Sequence, residues 1–134
     1  MIRNILAVLA GVVAAVIIFI IAESINGSLH PIPTDLDFSN TEAVKSFYEN
    51  QPILFWLVVL FGWAIGSFVC GFLIKLISKT DKILLPIIAG IPLTLSAVAN
   101  FFALPHPTWF IIVALLLFIP FVLLGHQVYK PKKV

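Results

Sequence analysis

ILAVLAGVVAAVIIFIIAESINGSLHPIP, residues 5–33, decides the fold of this chain. Its first eighteen residues are apolar, which is most of the roughly 20 residues that a helix needs to cross the core of a bilayer. Glu23 then opens a polar end, and Pro31 and Pro33 stop the helix, because proline lacks a backbone donor and restricts the residue before it. The stretch predicts a membrane span over about residues 5–28.

The rest of the chain has the composition of a membrane protein. Of its 134 residues, 61% are hydrophobic and only 10% are charged, against about 25% charged residues in soluble domains. Three more apolar stretches are long enough to span, over about residues 52–77, 83–104 and 108–129. We predict an all-α fold, a polytopic membrane four-helix bundle in a single transmembrane domain over residues 1–134. A net charge of +2 gives no indication of nucleic-acid binding.

Residues 31–51 form the one sizeable loop, which is predicted to hold a short interfacial helix. SNTE at 39–42 fits a capping box, in which the serine hydroxyl and the glutamate side chain cap each other's amides. Val44, Phe47 and Tyr48 follow at a spacing that places them on one helical face. That face is expected to rest on the membrane interface or to plug the mouth of the bundle, and docking to a partner is the alternative.

Small residues recur at helical spacing in the first two spans. Ala7, Gly11 and Ala15 are four apart, and Gly62 and Gly66 form a GxxxG. Such stripes let two helix backbones approach closely. We predict that Gly11, Gly62 and Gly66 are helix-packing positions within the bundle or, alternatively, at a seam between two copies.

Prolines and aromatic residues mark bends and ends of the spans. Pro92 and Pro120 are expected to bend the third and fourth spans, with carbonyls freed at Pro92 satisfied by Thr94 or Ser96. Trp56 is expected at the membrane interface, where tryptophan is enriched.

The distribution of basic residues predicts the orientation, because Lys and Arg favour the cytoplasmic side of short loops. With four spans, seven of the eight basic residues fall on one side: Arg3, Lys75, Lys79, Lys82, Lys130, Lys132 and Lys133. Lys45 falls on the other side, among four acidic residues. Both termini are therefore predicted to be cytoplasmic and the 31–51 loop external.

Five polar residues form the one candidate site. Glu23, Asn26 and His30 share a face of the first helix, and Asn100 and His106 end the third span at the same depth. Ionisable groups near lipid usually face the bundle interior or a wet cavity. Three roles compete: a structural hydrogen bond from Glu23 to His30 or Asn100, an outward-facing pocket for a small molecule or lipid headgroup, and proton exchange at Glu23 during transport.

The sequence offers no catalytic constellation. It has no nucleophile–base pair, phosphate-binding loop or paired catalytic carboxylates. Glu23, His30 and His106 are possible metal ligands by type but lack ligand spacing, so neither a metal nor a cofactor is predicted. Cys70 is the single cysteine, which excludes an intramolecular disulfide. His126 is expected at the interface, at the inner end of the fourth span and apart from the candidate site.

Three segments resemble a family of small four-span bacterial membrane proteins of uncharacterised function. They are ESINGSLHPIP at 23–33, WAIGSFVCG at 63–71 and NFFALPHPTWF at 100–110. The resemblance covers nearly the whole chain and implies a multi-pass protein of the bacterial inner (cytoplasmic) membrane, without implying an activity. A likeness to small multidrug resistance transporters is limited to size, composition and a glutamate in span one, since their glutamate lies mid-membrane and their loops are all short.

The functional expectation is a non-enzymatic accessory or structural component, packing in the lipid bilayer with itself as a homo-oligomer or with a membrane-protein partner. The alternative is a small proton-coupled transporter or a lipid- or small-molecule-binding membrane protein that uses the polar pocket around Glu23. An enzyme that modifies lipids with a histidine base is the third.

Overall fold

The computed structural model describes residues 1–132, which form a bundle of antiparallel helices. The helices are α1 (Ile2–Leu29), α2 (Thr41–Glu49), α3 (Ile53–Ser78), α4 (Leu84–Ala103), α5 (Thr108–Leu115) and α6 (Phe118–Val128). α5 and α6 together make the fourth of four segments that are long and apolar enough to cross a membrane. The predicted all-α four-helix membrane fold is confirmed. Lys133, one of the seven basic residues above, lies outside the described residues.

α3 is the centre of the bundle. Half of its most apolar stretch is buried within the chain, against 22% for α1 and 28% for α4. α3 packs most extensively on α1 and on α6, and α4 closes on α6. The outward faces of the peripheral helices are apolar and exposed, for example at Leu9, Ile17 and Leu95, and in a membrane these faces meet lipid.

Glycines allow α3 to approach both neighbours closely. Towards α1, a Cβ built on Gly66 would lie 2.5 Å from the ring of Phe19, too close for a real contact. Towards α6, a Cβ on Gly71 would overlap the carbonyl oxygen of Val122. Backbone contact of this kind is the usual means of helix association in lipid, where apolar side chains gain little by leaving an equally apolar solvent.

The three glycines predicted to be helix-packing positions all lie where α1 meets α3. Gly11 faces the carbonyl oxygen of Cys70, at 2.8 Å from an added Cβ, and Gly62 faces Ala22. With Gly66, they line a contact inside one chain. These small-residue faces are therefore occupied within the chain.

Pro120 divides the fourth span. Proline has no N–H, and its ring clashes with the carbonyl four residues earlier, that of Leu116. α5 ends at Leu115, and the amide of Leu117 donates to the carbonyl of Ala114 at 3.1 Å, a bond one residue shorter than a helical one. The expected bend is a full break between two helices.

Pro92, in contrast, stays inside α4. The hydroxyls of Thr94 and Ser96 donate to the carbonyls of Gly90 and Leu93, at 2.8 and 2.7 Å. Neither of these carbonyls is the one that proline frees, four residues before it. The role predicted for the two hydroxyls is therefore wrong.

The cap of α2 differs from the predicted capping box. Asn40 is the N-cap, and its Oδ1 accepts from the amide of Ala43 at 3.2 Å. Ser39 instead donates its hydroxyl and its amide to Asp37 Oδ1, at 2.6 and 2.9 Å. These two bonds, the hydroxyl first, lower the pKa of the Asp37 carboxyl. The capping box from Ser39 to Glu42 is wrong because the aspartate two residues earlier competes for the serine.

The start of α1 and the ends of α3 and α6 meet at one end of the bundle, which we call the inner end. Arg3 Nη2 donates to the carbonyl of Ser78 at 2.8 Å, and the rings of Phe72 and Tyr129 lie 5.4 Å apart. The opposite, outer end carries α2 and with it Lys45. The basic segments that predict a cytoplasmic side thus share one end.

Single-cysteine labelling in intact bacterial cells tests the orientation. In a Cys70→Ala background, we expect Thr34→Cys to react with a membrane-impermeant maleimide and Lys132→Cys to react only after permeabilisation. The basic inner end is the reason, since positive charge is retained in the cytoplasm. If Lys132→Cys reacts in intact cells and Thr34→Cys does not, the orientation is the opposite of the predicted one.

Gly71→Ala should destabilise the bundle, because the added methyl group overlaps Val122. We expect a loss of about 1–3 kcal/mol, as for other overpacked sites, measured by thermal or denaturant unfolding in detergent. Gly27→Ala is the matched control, since a Cβ there meets nothing within 4 Å. Gly27→Ala should instead stabilise the helix by up to about 1 kcal/mol, because alanine has a higher helix propensity than glycine. Equal effects of the two substitutions would contradict the close α3–α6 contact.

Candidate functional site

All five predicted site residues line one cavity at the outer end of the bundle. The cavity, which we call the outer cavity, has a volume of about 240 Å³ and is lined by the outer parts of α1, α3 and α4 and by α2. Its polar lining residues are Glu23, Asn26, His30, Asn100 and His106. Its other lining residues are Gly27, Ile32, Phe47, Tyr48, Phe55, Trp56, Val59, Trp63 and Leu104.

Asn26 ties α1 to α3 beside the cavity. It is 3% exposed, and its Nδ2 donates to the carbonyl of Phe55 at 3.2 Å. Its Oδ1 lies 3.0 Å from His30 Nδ1. An amide oxygen only accepts, so His30 Nδ1 carries the hydrogen and donates in this arrangement. The His30 ring meets the edge of Phe55 at 5.5 Å, so that Asn26 fixes both the helix and the histidine.

Glu23 is exposed, and within residues 1–132 its carboxylate accepts no hydrogen bond. The structural bond expected from Glu23 to His30 or Asn100 is therefore not formed in this part of the chain. Eighteen residues from Ile5 advance a helix by about 27 Å, which places Glu23 at the outer edge of a hydrocarbon core of about 30 Å. A carboxylate at that depth is open to a ligand that approaches from the lipid at this end of the bundle.

Tyr48 brings α2 to the same carboxylate. Burial raises the pKa of its phenol, and the negative charge of Glu23 raises the pKa further. Together with Phe47, this half-buried side chain turns the apolar face of α2 into the cavity. The α2 face thus plugs the mouth of the bundle, the second of the three roles considered for it.

His106 is held among aromatic rings. Its Nδ1 donates to the carbonyl of Leu104 at 2.7 Å, and its ring stacks on Phe110 at 5.3 Å and lies 5.4 Å from Trp56. Burial lowers the pKa of His106, and the bond to Leu104 opposes this only in part. The imidazole is therefore uncharged at neutral pH.

Trp56 and Trp63 form the inner wall of the cavity. They are 5% and 4% exposed and lie 5.0 and 5.4 Å from the ring of Phe110. Trp56 lies near the outer start of α3, and its side chain turns into the core of the bundle instead of outwards. Sequence reasoning missed Trp63, although Trp56, Val59 and Trp63 are spaced i, i+3, i+7 and so share one face of α3.

The exposure of the lining residues shows where the cavity opens. Glu23 and Gly27 of α1 and Asn100 of α4 are exposed, whereas Asn26 and Trp56 are buried. The mouth therefore lies between the outer ends of α1 and α4. Glu23 is the one Asp, Glu, Lys or Arg residue in the lining.

His126 lies far from this cavity, at the inner end, as predicted. It is 2% exposed, with its backbone amide 2.8 Å from the position of a Cβ on Gly71. Its side chain is buried between α3 and α6. Lys75, 4% exposed, pairs with Asp81 at the same end.

Within residues 1–132, no three His, Cys, Asp or Glu side chains are close enough together to hold a metal ion. No family profile, curated protein or solved structure matches this chain. The family resemblance stays a prediction, and what the cavity does must be inferred from its own residues.

The titration of Tyr48 tests the geometry of the outer cavity. In a Tyr129→Phe background, Glu23→Gln should lower the pKa of Tyr48, because the carboxylate no longer opposes formation of the phenolate. The pKa of Tyr48 is measured from the tyrosinate absorbance as a function of pH. Glu42→Gln, a charge loss elsewhere on α2, should leave the titration unchanged. An unchanged Tyr48 pKa in Glu23→Gln would show that the two side chains do not face each other.

Proposed function

We propose that this is a non-enzymatic membrane protein that binds a small amphiphilic molecule in the outer cavity. The observation that carries the proposal is the convergence of four helices, which deliver polar groups and aromatic rings to one space. Ligand sites are concave, mostly apolar and provided with a few placed polar groups. A volume of about 240 Å³ suits a small molecule or the headgroup of a lipid better than a large substrate.

The chemistry of the lining supports binding over catalysis. Each of the two imidazoles, His30 and His106, commits Nδ1 to an oxygen of the protein, and neither is hydrogen-bonded to a nucleophile in the described residues. The one hydroxyl in the lining, on Tyr48, has a raised pKa and is a poor nucleophile at neutral pH. These groups can orient and neutralise a ligand.

The position of the mouth supports an amphiphile. Glu23 and Asn100 lie at the mouth, near the boundary between headgroups and hydrocarbon. A ligand bound there keeps its polar part in the cavity, and an apolar part passes between α1 and α4 into the outer leaflet. The proposal includes a bacterial inner-membrane location with both termini in the cytoplasm, supported by the basic inner end.

The accessory or structural role has less support. The small-residue faces of α1 and α3, which suggested a seam with another chain, are occupied within this chain. The apolar face of α2, which suited docking, covers the outer cavity. Proton-coupled transport would need a path inward, and Trp63 and Phe110 pack against each other below the cavity.

Filling the cavity tests the proposal. Gly27 lines the cavity and has open space around it, so Gly27→Trp should place an indole in the ligand site without disturbing helix packing. Protein purified in mild detergent from its own membrane should show a bound small molecule or lipid by native mass spectrometry, and Gly27→Trp should lose it.

Ile25→Trp is the matched control, because Ile25 is exposed, lies on the same helix and is not in the lining. It should retain the bound molecule. The same set of bound masses in both variants would overturn the proposed function, and comparable unfolding temperatures of the two would show that both are folded.

A further inference from the structure

We infer that the ligand of the outer cavity is an organic cation, a quaternary ammonium or a protonated amine, held by the carboxylate of Glu23 and by the rings of Tyr48 and Trp56. This inference rests on the proposed function and specifies the chemical class of the ligand. It follows from the charge of the lining, from the arrangement of the aromatic rings and from the charge of the outer end.

The charge of the lining selects for a cation. Glu23 contributes a carboxylate without a hydrogen-bond partner in residues 1–132, and no Lys or Arg lines the cavity. His106 stays uncharged at neutral pH because it is buried. Lys45, the basic residue of the outer end, lies on the exposed face of α2 with its Nζ 3.8 Å from Glu49 Oε1, and it is not in the lining. A cation gains the attraction of Glu23, and an anion meets repulsion.

The aromatic rings provide a second attraction of the same sign. Tyr48, Phe55 and Trp56 are mutual neighbours, with ring centroids 4.9 to 6.3 Å apart. All three line the cavity. Ring faces carry negative electrostatic potential, and aromatic groups that surround a space recognise quaternary ammonium groups through cation–π attraction. A carboxylate beside several rings is selective for a cation with an apolar surface over a small hydrated ion.

The charge of the whole outer end acts in the same direction. Five of the six acidic residues of the chain belong to it: Glu23, Asp35, Asp37, Glu42 and Glu49. Lys45 is its single basic residue. A surface of one sign raises the local concentration of the opposite charge, so cations are concentrated at the mouth.

Two probes of similar size and opposite charge test the inference. Benzyltrimethylammonium and phenylmethanesulfonate are titrated by calorimetry into the protein in phosphatidylglycerol nanodiscs at neutral pH, with empty discs subtracted. The cation should bind with a Kd about tenfold lower than the anion. Glu23→Gln should weaken binding of the cation about tenfold, and Glu42→Gln, which removes a charge of the outer end that does not line the cavity, less than about twofold.

The outcomes separate this inference from the proposed function. Suppose that the sulfonate binds as tightly as the cation or more tightly, and that this binding is lost in Gly27→Trp. That result would overturn the inference of a cationic ligand and would leave the cavity as a binding site. Binding of neither probe, together with no bound molecule in native mass spectra, would overturn both. Equal affinity of Glu23→Gln and wild type for the cation would also overturn the inference.

The source of the cation is distinguished by repeating the titration in phosphatidylcholine nanodiscs. If the natural ligand is a lipid headgroup, phosphatidylcholine occupies the cavity, and the difference between wild type and Glu23→Gln for benzyltrimethylammonium disappears in those discs. If the ligand is a free cation, the difference persists in both lipids. Because wild type and Glu23→Gln are compared with the same probe in the same lipid, attraction of the probe to the anionic disc surface cancels between them.

Discussion

The close approach of α3 to α1 on one side and to α6 on the other is the constraint on which the rest of the structure depends. Gly66 admits the ring of Phe19, and Gly71 admits the backbone at Val122. Lipid offers no hydrophobic gain for bringing apolar helices together, so dispersion contacts at short range must hold them. A small residue on each of two faces of α3 makes it the shared partner of both neighbours, and α4 needs to contact only the assembled bundle.

The outer cavity follows from a change of side-chain size along α3. The inner part of α3 places Gly66 and Gly71 where α1 and α6 approach closely. Its outer part presents Phe55 and Trp56. Large rings hold helices apart where small residues draw them together, so a space opens at the outer end. Asn26 fixes the spacing of α1 and α3 beside that space, because its side chain donates to the Phe55 carbonyl. Packing and candidate function are thus set by the same helix.

The sequence predicts the four spans and the common location of the five site residues, because hydropathy and helical spacing are properties of single segments. Glu23, Asn26 and His30 could be assigned to one face from their spacing alone. The burial of Trp56 could not be predicted in this way, since whether a side chain meets lipid or core depends on how α3 is rotated against α1 and α6. The prediction of the α2 cap was wrong for a different reason. Ser39 and Asn40 are both good N-cap residues, and Ser39 bonds to Asp37, so Asn40 caps the helix.

The two ends of the bundle differ in how their charged groups are used, and this difference argues for binding at the outer end without passage through the bundle. At the inner end Lys75 is buried and paired with Asp81 of the turn after α3, and Arg3 of α1 is bonded to the carbonyl of Ser78 of α3, so both basic groups have partners within the chain. Separating a buried charge from its partner is costly. At the outer end the carboxylate of Glu23 stays exposed at a mouth. A molecule that neutralises Glu23 from outside completes the outer end in the way that Asp81 already completes the inner one.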